Sequence, residues 1–400
     1  MTSNLEKILD KNFNNLPDEV IWCKNCFMSN QRPMLKIYED GICSACKYSE
    51  YKNGIDWKKR ESELEELLSK FRKSNGNWDV IVPSSGGKDS FFVAHQLKHM
   101  YGMNPLLLTF APLIYTDVGK KNFDNLNNLG FSSFLYSPDP VLKKKLARLC
   151  FEEYGDPFHM FVLGQSNFPL HMAVKLNIEL IFYGENSHLE YAGDYKFNDN
   201  PFDDISRIYS RIFKGTTFKD LINYGIKEKE YISENDFKKG DINFYEPPTQ
   251  NEIEKKKLKK AYFGYFKRWI PQEMYYYATK HSNFQPNEDR NEGTFSKFAS
   301  LDDKTDGFHF YMRYIKLGLG RCAEDVSHHI RDGLIDKEEG GMLMKKFEGE
   351  FPKKYFPDFL DFLNITEQNF NEIVDSWRRP KLWKKSNKLD GKWELVNKPY

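Results

Sequence analysis

Val82-Pro83-Ser84-Ser85-Gly86-Gly87-Lys88-Asp89-Ser90 is the stretch from which the fold can be read. Asp79-Val80-Ile81-Val82 leads into it as a short apolar strand, and Ser90 to Met100 follows as a helix with Phe91, Ala94, His95 and Leu97 available to its faces. The two glycines let the backbone turn tightly and approach a ligand closely. The amides of Ser85, Gly86 and Gly87 can point at anionic oxygens, and the helix that follows adds its positive dipole end. Lys88 supplies a mobile charge and Ser90 a hydroxyl. Asp89 is out of place beside a phosphate unless a cation stands between them, so the loop implies Mg²⁺. The spacing is neither G-x-x-x-x-G-K-[ST] nor G-x-G-x-x-G.

Outward from the loop, strand and helix alternate. Leu106-Leu107-Leu108, Phe134-Leu135-Tyr136 and Leu180-Ile181-Phe182-Tyr183 read as further strands, and Lys120–Leu129, Val141–Tyr154 and Leu170–Leu176 as helices. Short apolar strands alternating with helices predict an α/β fold, a parallel sheet covered on both faces, with ligands at the carboxyl ends of its strands. Gly184-Glu185-Asn186 ends the fourth strand there, so Glu185 could hold Mg²⁺ or orient an acceptor. Thr109 and Phe110 end the second strand.

The loop resembles the S-G-G-x-D-S motif of the ATP pyrophosphatase (PP-loop) superfamily. The resemblance implies an adenine nucleotide α-hydrolase-like sheet that cleaves ATP between its α and β phosphates, adenylates a carbonyl oxygen, and lets ammonia or sulfide displace AMP. On that reading Pro83, Ser84, Ser85, Gly86, Gly87, Lys88, Asp89, Ser90, Thr109, Gly184, Glu185 and Asn186 bind ATP, with Thr109 and Phe110 bordering the adenine.

Cys23-Lys24-Asn25-Cys26 and Cys43-Ser44-Ala45-Cys46 are two C-x-x-C knuckles with sixteen residues between them. Four thiolates satisfy tetrahedral Zn²⁺ with no open position, the arrangement of a structural site. An iron–sulfur cluster is the other metal reading. Cys150 and Cys322 stand alone, as buried small hydrophobes or as a sulfur-relay pair.

The chain has 400 residues, enough for two or three folded units. Fifty-nine basic against 58 acidic residues leave a net charge of +1, which argues against nucleic acid as the main partner. No run approaches the roughly 20 apolar residues of a membrane span; the longest, Leu106 to Ile114, is broken by Thr109 and Pro112. Met1-Thr2-Ser3-Asn4-Leu5-Glu6 lacks the charged head and apolar core of a signal peptide, so a cytoplasmic protein with no membrane partner is expected. The organisation reads as a leader (1–20), a four-cysteine zinc module (21–50), a linker helix (51–77), the PP-loop ATP-binding domain (78–194), a mostly helical substrate or partner region (195–376) and a basic aromatic tail (377–400). Residues 194–300, with Glu254-Lys255-Lys256-Lys257-Leu258-Lys259-Lys260, read as mainly helical.

In the C-terminal half, Lys316, Arg321 and Arg331 suit an anionic substrate group or leaving pyrophosphate. His328 and His329 adjoin, so they cannot both face one site. Taken with the Cys knuckles, the phosphate loop and Gly184-Glu185-Asn186, the segment Gly318-Leu319-Gly320-Arg321 gives a chain that resembles the N-acetyl sugar amidotransferase family. The resemblance spans about Cys23 to Trp383. It implies conversion of an acetamido group on a bacterial nucleotide-linked or nonulosonic sugar into an acetamidino group, in surface polysaccharide or flagellin glycan synthesis. Lys88, Asp89, Glu185 and Arg321 would be catalytic, with Glu190, Lys316, Arg321 and Arg331 toward the substrate and Glu185 or Glu190 deprotonating incoming ammonium. Ammonia would come from a separate glutaminase and its synthase-like channel partner, since neither Cys150 nor Cys322 lies in a glutaminase motif. A tRNA-modifying thiolase of the same superfamily is the alternative. There the basic tail, with Arg378, Arg379, Lys381, Lys384, Lys385, Trp377 and Trp383, would stack on and screen nucleic acid.

Overall fold

The structure is a computed structural model that describes residues 7–193, 199–205, 214–237, 240–386 and 392–400. The expected boundary at 194, the first six residues of the leader and residues 387–391 of the tail lie outside the described residues. The chain forms α1 (Lys11–Asn14), α2 (Ser44–Asn53), α3 (Trp57–Ser69), β1 (Val80–Pro83), α4 (Lys88–His99), β2 (Pro105–Phe110), α5 (Asp117–Asn127), β3 (Ser132–Tyr136), α6 (Pro140–Tyr154), α7 (His159–Leu176), β4 (Leu180–Tyr183), β5 (Lys259–Tyr262), β6 (Trp383–Lys385) and β7 (Trp393–Leu395). Five strands make one sheet in the order β3-β2-β1-β4-β5, and every pairing is parallel.

Neighbouring side chains of a strand point to opposite faces, and here both faces are buried. Ile81, Leu106, Leu108 and Ile181 join the core under α6 and α7, which includes Leu146, Phe151, Phe161 and Leu170. Val80, Val82, Leu107, Leu180 and Phe182 join the core under α4, with Phe91, Val93 and Leu97, and with Leu64 and Leu68 of α3. This double burial is why β1, β2 and β4 read as unbroken apolar runs.

Two elements differ from the expectation. β5 comes from the charged run read as helical. It is an edge strand whose Lys259 is exposed and whose Ala261 is buried, and lysine on an edge strand resists pairing with another chain. The sheet therefore draws a strand from beyond residue 194. α7 begins at His159, eleven residues before Leu170, and carries Pro169 inside it, a residue that ordinarily marks a helix boundary.

The helices Asp306–Leu317, Arg321–Arg331, Lys337–Phe347, Phe356–Leu363 and Glu367–Ser376 make the C-terminal region. Phe308 stacks on Phe359 with centroids 4.0 Å apart, and Phe151 of α6 stacks on Phe370 at 5.5 Å, so this region shares a core with the sheet. The tail belongs to that core. Trp377 is fully buried against Gly155, Trp383 Nε1 donates to the Ile315 carbonyl at 2.7 Å, and β6 and β7 form a small antiparallel hairpin. The cysteine module packs on the helices Arg321–Arg331 and Lys337–Phe347 through Phe27, Met28, Val326 and Met344. No helix among the described residues is long and apolar enough to cross a membrane.

Candidate active site

The loop after β1 stands at the carboxyl end of the sheet's central strand. Ser84 N–H donates to the Leu108 carbonyl at 2.9 Å, and Thr109 Oγ1 donates to the Ser84 carbonyl at 2.6 Å, so β2 fixes the start of the turn. Ser84 and Ser90 hydroxyls meet at 3.0 Å, and Ser84 Oγ accepts from the Gly86 amide at 3.3 Å. Gly86 has φ +90°, and a Cβ there would come within 2.6 Å of the Phe123 amide nitrogen of α5. Only glycine suits both conditions. Gly87 caps α4 with no side-chain acceptor on the helix N-terminus, which leaves the amide end of α4 for a ligand.

Two cavities, of about 690 and 420 Å³, meet at this loop. Both are walled by Arg32, Ser85, Gly87, Asp89, Glu185 and Arg313. The larger runs along Leu108, Phe110, Val162 and Pro169 and reaches Asp156, His309 and Lys316. The smaller holds Gly86, Lys88, Asp302, Arg321 and His328.

Lys88 Nζ lies 2.5 Å from Asp89 Oδ2, while Asp89 Oδ1 is shielded from solvent and accepts no hydrogen bond among the described residues. Glu185 is half-buried beyond the end of β4. Burial pushes its carboxyl up to about 8, and the Asp89 charge adds to the rise. An unpartnered carboxylate oxygen beside a second crowded carboxyl is a fit for a hard divalent cation such as Mg²⁺. Asp302, from a loop far along the chain, also enters the smaller cavity, where burial raises its carboxyl to about 6 against a hydrogen bond from Ser85. Arg321 pairs with Asp325 at 3.0 Å, donates to Ser300 Oγ at 3.1 Å and stacks on Phe310.

Thr109 is buried beneath the loop, and Gly184 lies against Trp269, whose ring a Cβ would meet at 2.7 Å. Asn186 does not line either cavity; its side chain accepts from the His188 amide, and its carbonyl caps the turn that follows. Three other expected residues stand away from the loop. Lys316 lies at the far end of the larger cavity, in a buried pair with Asp10 at 2.6 Å, and burial lowers its ammonium to about 8. Glu190 is buried between Lys52 (2.6 Å) and His328 (3.4 Å). Burial alone would raise its carboxyl, but these two partners outweigh it and hold the group at about 2. Arg331 donates to the Glu190 carbonyl at 2.9 Å and sits 4.0 Å from Cys26 Sγ, beside the cysteine cluster. Arg32, Arg313, Glu324 and Asp302 were not among the expected site residues. Arg32 comes from the cysteine module and the other three from residues 302–324 around Arg321, and only the folded arrangement brings them to the loop.

The sulfurs of Cys23, Cys26, Cys43 and Cys46 lie within 4.8 Å of one another, all buried. Cys23 to Cys46 is 3.9 Å and Cys26 to Cys43 is 3.7 Å. A tetrahedral ion with metal–sulfur bonds of about 2.3 Å needs sulfurs about 3.8 Å apart, so the set fits Zn²⁺. The amides of Asn25 and Cys43 point at Cys23 Sγ at 3.4 and 3.2 Å, and Asn25 Nδ2 points at Cys46 Sγ at 3.4 Å. Such N–H groups suit thiolate sulfur. Cys150 and Cys322 are both fully buried in different core clusters, and neither lines a cavity described above.

The loop of Ser84 to Lys88 thus stands at the carboxyl end of a parallel sheet, with a four-cysteine module packed on the helices that flank the site. Residues 292–400 match the family model of the C-terminal domain of WbpG-like lipopolysaccharide biosynthesis proteins. That match places Arg313, Arg321 and Glu324 of the site within a region shared with such proteins. An uncharacterized protein of Methanocaldococcus jannaschii is 32 % identical over 85 residues, which cover 21 % of this chain and 30 % of that protein. The chain thus spans under a third of that relative's length. NMN synthetase from Francisella tularensis aligns structurally over 50 % of this chain and 91 % of its own, with a TM-score of 0.26 and 14 % identity.

Proposed function

We propose that the chain is an ATP-dependent amidotransferase that converts the acetamido group of a bacterial surface sugar into an acetamidino group. The observation that carries this reading is the meeting of the two cavities at the phosphate loop, with Asp89 and Glu185 in the shared wall. The larger cavity, with Leu108, Phe110, Val162 and Pro169, suits a purine base and has volume left for an acceptor. The smaller, with Gly86, Lys88 and Arg321, suits the β and γ phosphates. The bond to be broken, between the α and β phosphates, then lies at the junction. The acetamido oxygen takes the α-phosphoryl group and pyrophosphate leaves into the smaller cavity. Ammonia adds to the activated carbon and AMP departs.

An amide oxygen is a weak nucleophile, so in-line positioning and charge stabilisation supply most of the rate. Asp89 would hold Mg²⁺, which would neutralise phosphate charge when bound, and Glu185 beside it is left free to take a proton. Glu185 is the better candidate than Glu190 for taking a proton from ammonium, because it faces the junction and its carboxyl titrates near 8. Ammonia is supplied by a separate glutaminase and its channel partner. The match of residues 292–400 to lipopolysaccharide biosynthesis proteins supports a sugar acceptor. The tRNA alternative gains no support from the tail: Trp377 and Trp383 are buried, Arg378 stacks on Trp383, and Arg379 donates to Gln31.

The test incubates UDP-linked and CMP-linked acetamido sugars with protein, ATP, Mg²⁺ and ammonium and reads products by mass spectrometry. The expected product has one oxygen exchanged for NH, with AMP and pyrophosphate formed, and Lys88→Ala forms neither. No exchange in either panel, with AMP appearing only on addition of tRNA, overturns the reading.

A further inference from the structure

Arg32 lies in the loop between the two cysteine knuckles, yet it lines both cavities of the candidate active site. Its Nη1 hydrogen-bonds the Glu324 carboxylate, and its guanidinium lies 5.8 Å from the Tyr191 ring centroid. Among the described residues its Nε and Nη2 donate to nothing. Arg313 contrasts with it: Nε donates to the Leu319 carbonyl, Nη2 to the Gly320 carbonyl and Nη1 to Glu324. Arg313 is committed to holding the turn before the helix Arg321–Arg331. Two guanidiniums thus share one carboxylate, and the fork that keeps free donors is the one on the cysteine module.

The loop that carries Arg32 is held from several sides. Arg32 N–H donates to the Ser29 carbonyl at 3.1 Å, and Leu35 N–H to the Arg32 carbonyl at 3.2 Å. Gln31 Nε2 donates to the Pro17 carbonyl at 3.0 Å, Gln31 Oε1 accepts from Arg379 at 2.6 Å, and Phe27 N–H donates to Ser327 Oγ at 3.0 Å. A guanidinium fixed in this way is preorganised for an oxyanion, which it binds through paired N–H donors.

We propose that the cysteine module supplies Arg32 as a ligand-contacting residue of the active site, taking a phosphoryl oxyanion of the nucleoside triphosphate at the junction of the two cavities. The module then does more than brace the fold: it adds a guanidinium to the cavity walls that Ser85 and Gly87 also line. The proposal rests on the nucleotide reading of that loop.

The experiment titrates Mg·ATP into the full-length protein by calorimetry and compares wild type, Arg32→Ala, Arg32→Lys and Lys88→Ala, with bound metal and melting temperature measured on each. Hydrogen bonds to charged groups contribute about 1.5–3 kcal/mol, so Arg32→Ala is expected to weaken Mg·ATP about 10- to 100-fold. Arg32→Lys keeps the charge but loses the fork, and is expected to recover part of that affinity with the metal retained. Should Arg32→Ala shed its metal, Arg32→Met keeps the stem's packing and reads the same loss. Wild-type affinity in Arg32→Ala with weakened binding in Lys88→Ala overturns the proposal and leaves the nucleotide site standing. Wild-type affinity in both overturns the nucleotide reading itself.

Discussion

Glu185 shows how one side chain's surroundings set its chemistry. Its carboxyl titrates near 8 instead of the usual 4.5, first because it is buried and then because Asp89 is beside it. Between those two values the folded protein holds a proton that the unfolded chain has released. Stability therefore falls as pH rises through that window, and the cost is complete above about pH 8. Glu185→Gln removes the cost. Its melting temperature is expected to match wild type below about pH 4.5 and to exceed it increasingly toward pH 8. The same substitution removes the proton acceptor, so ammonia-dependent turnover is expected to fall about 10²- to 10⁴-fold. A melting profile parallel to wild type across the whole range would show that Glu185 carries no such shift. Glu190, five residues on, has the same functional group and the opposite character, because Lys52 and His328 pair with it.

At the scale of elements, Trp377 ties the C-terminal tail to the sheet's helices. It has no exposed surface, packs edge-on to Phe13 at 5.1 Å and donates from Nε1 to the Glu152 carbonyl at 3.3 Å. Truncating a fully buried tryptophan costs about 3–5 kcal/mol, so Trp377→Ala is expected to lower the denaturation midpoint by that equivalent in chemical unfolding. A loss below about 1 kcal/mol would mean a tail that folds apart from the core. The sequence reads this tail as basic and aromatic, packed by its tryptophans, but does not name what covers them: Trp377 lies against Gly155 and Phe13 from far along the chain. The same limit explains what else was legible. β1, β2 and β4 are buried on both faces and so read as apolar runs. β5 is an edge strand written in lysines. The loop Pro83–Ser90 carries its chemistry in contiguous residues and could be read directly. Arg32, Asp302 and Glu324 reach the site only through tertiary folding, and the partners that commit Lys316 and Glu190 to buried ion pairs lie more than 100 residues away in sequence.

At the scale of the whole molecule, the cysteine module is fastened to the turn that follows Glu185 rather than to the sheet. Ser44 Oγ donates to the Ala192 carbonyl, Lys52 pairs with Glu190 at 2.6 Å, and Ser49 Oγ donates to the Arg331 carbonyl at 3.2 Å. Arg331 in turn donates to the Glu190 carbonyl and lies beside Cys26. α2, which carries Ser44, Ser49 and Lys52, begins at the second knuckle, and Cys43 is its N-terminal cap. An ion held by the four sulfurs would be the fixed point from which α2 clamps residues 190–192 and the end of the helix Arg321–Arg331. Metal binding couples directly to folding where the ligands cannot otherwise be held together. Without an ion the four cysteines repel as thiolates or must take up protons, which would loosen the helix whose buried Lys52 pairs with Glu190. Cys43→Ser is accordingly expected to lose bound zinc and lower the melting temperature. It should also raise hydrogen exchange in residues 185–193 and 324–331 more than in the central strands β1 and β2. A colourless wild-type protein releasing zinc on thiol modification agrees with this account, whereas visible absorbance with bound iron would replace zinc by an iron–sulfur cluster. Unchanged exchange in residues 185–193 of a metal-free variant would separate the module from the active-site wall and refute the clamp.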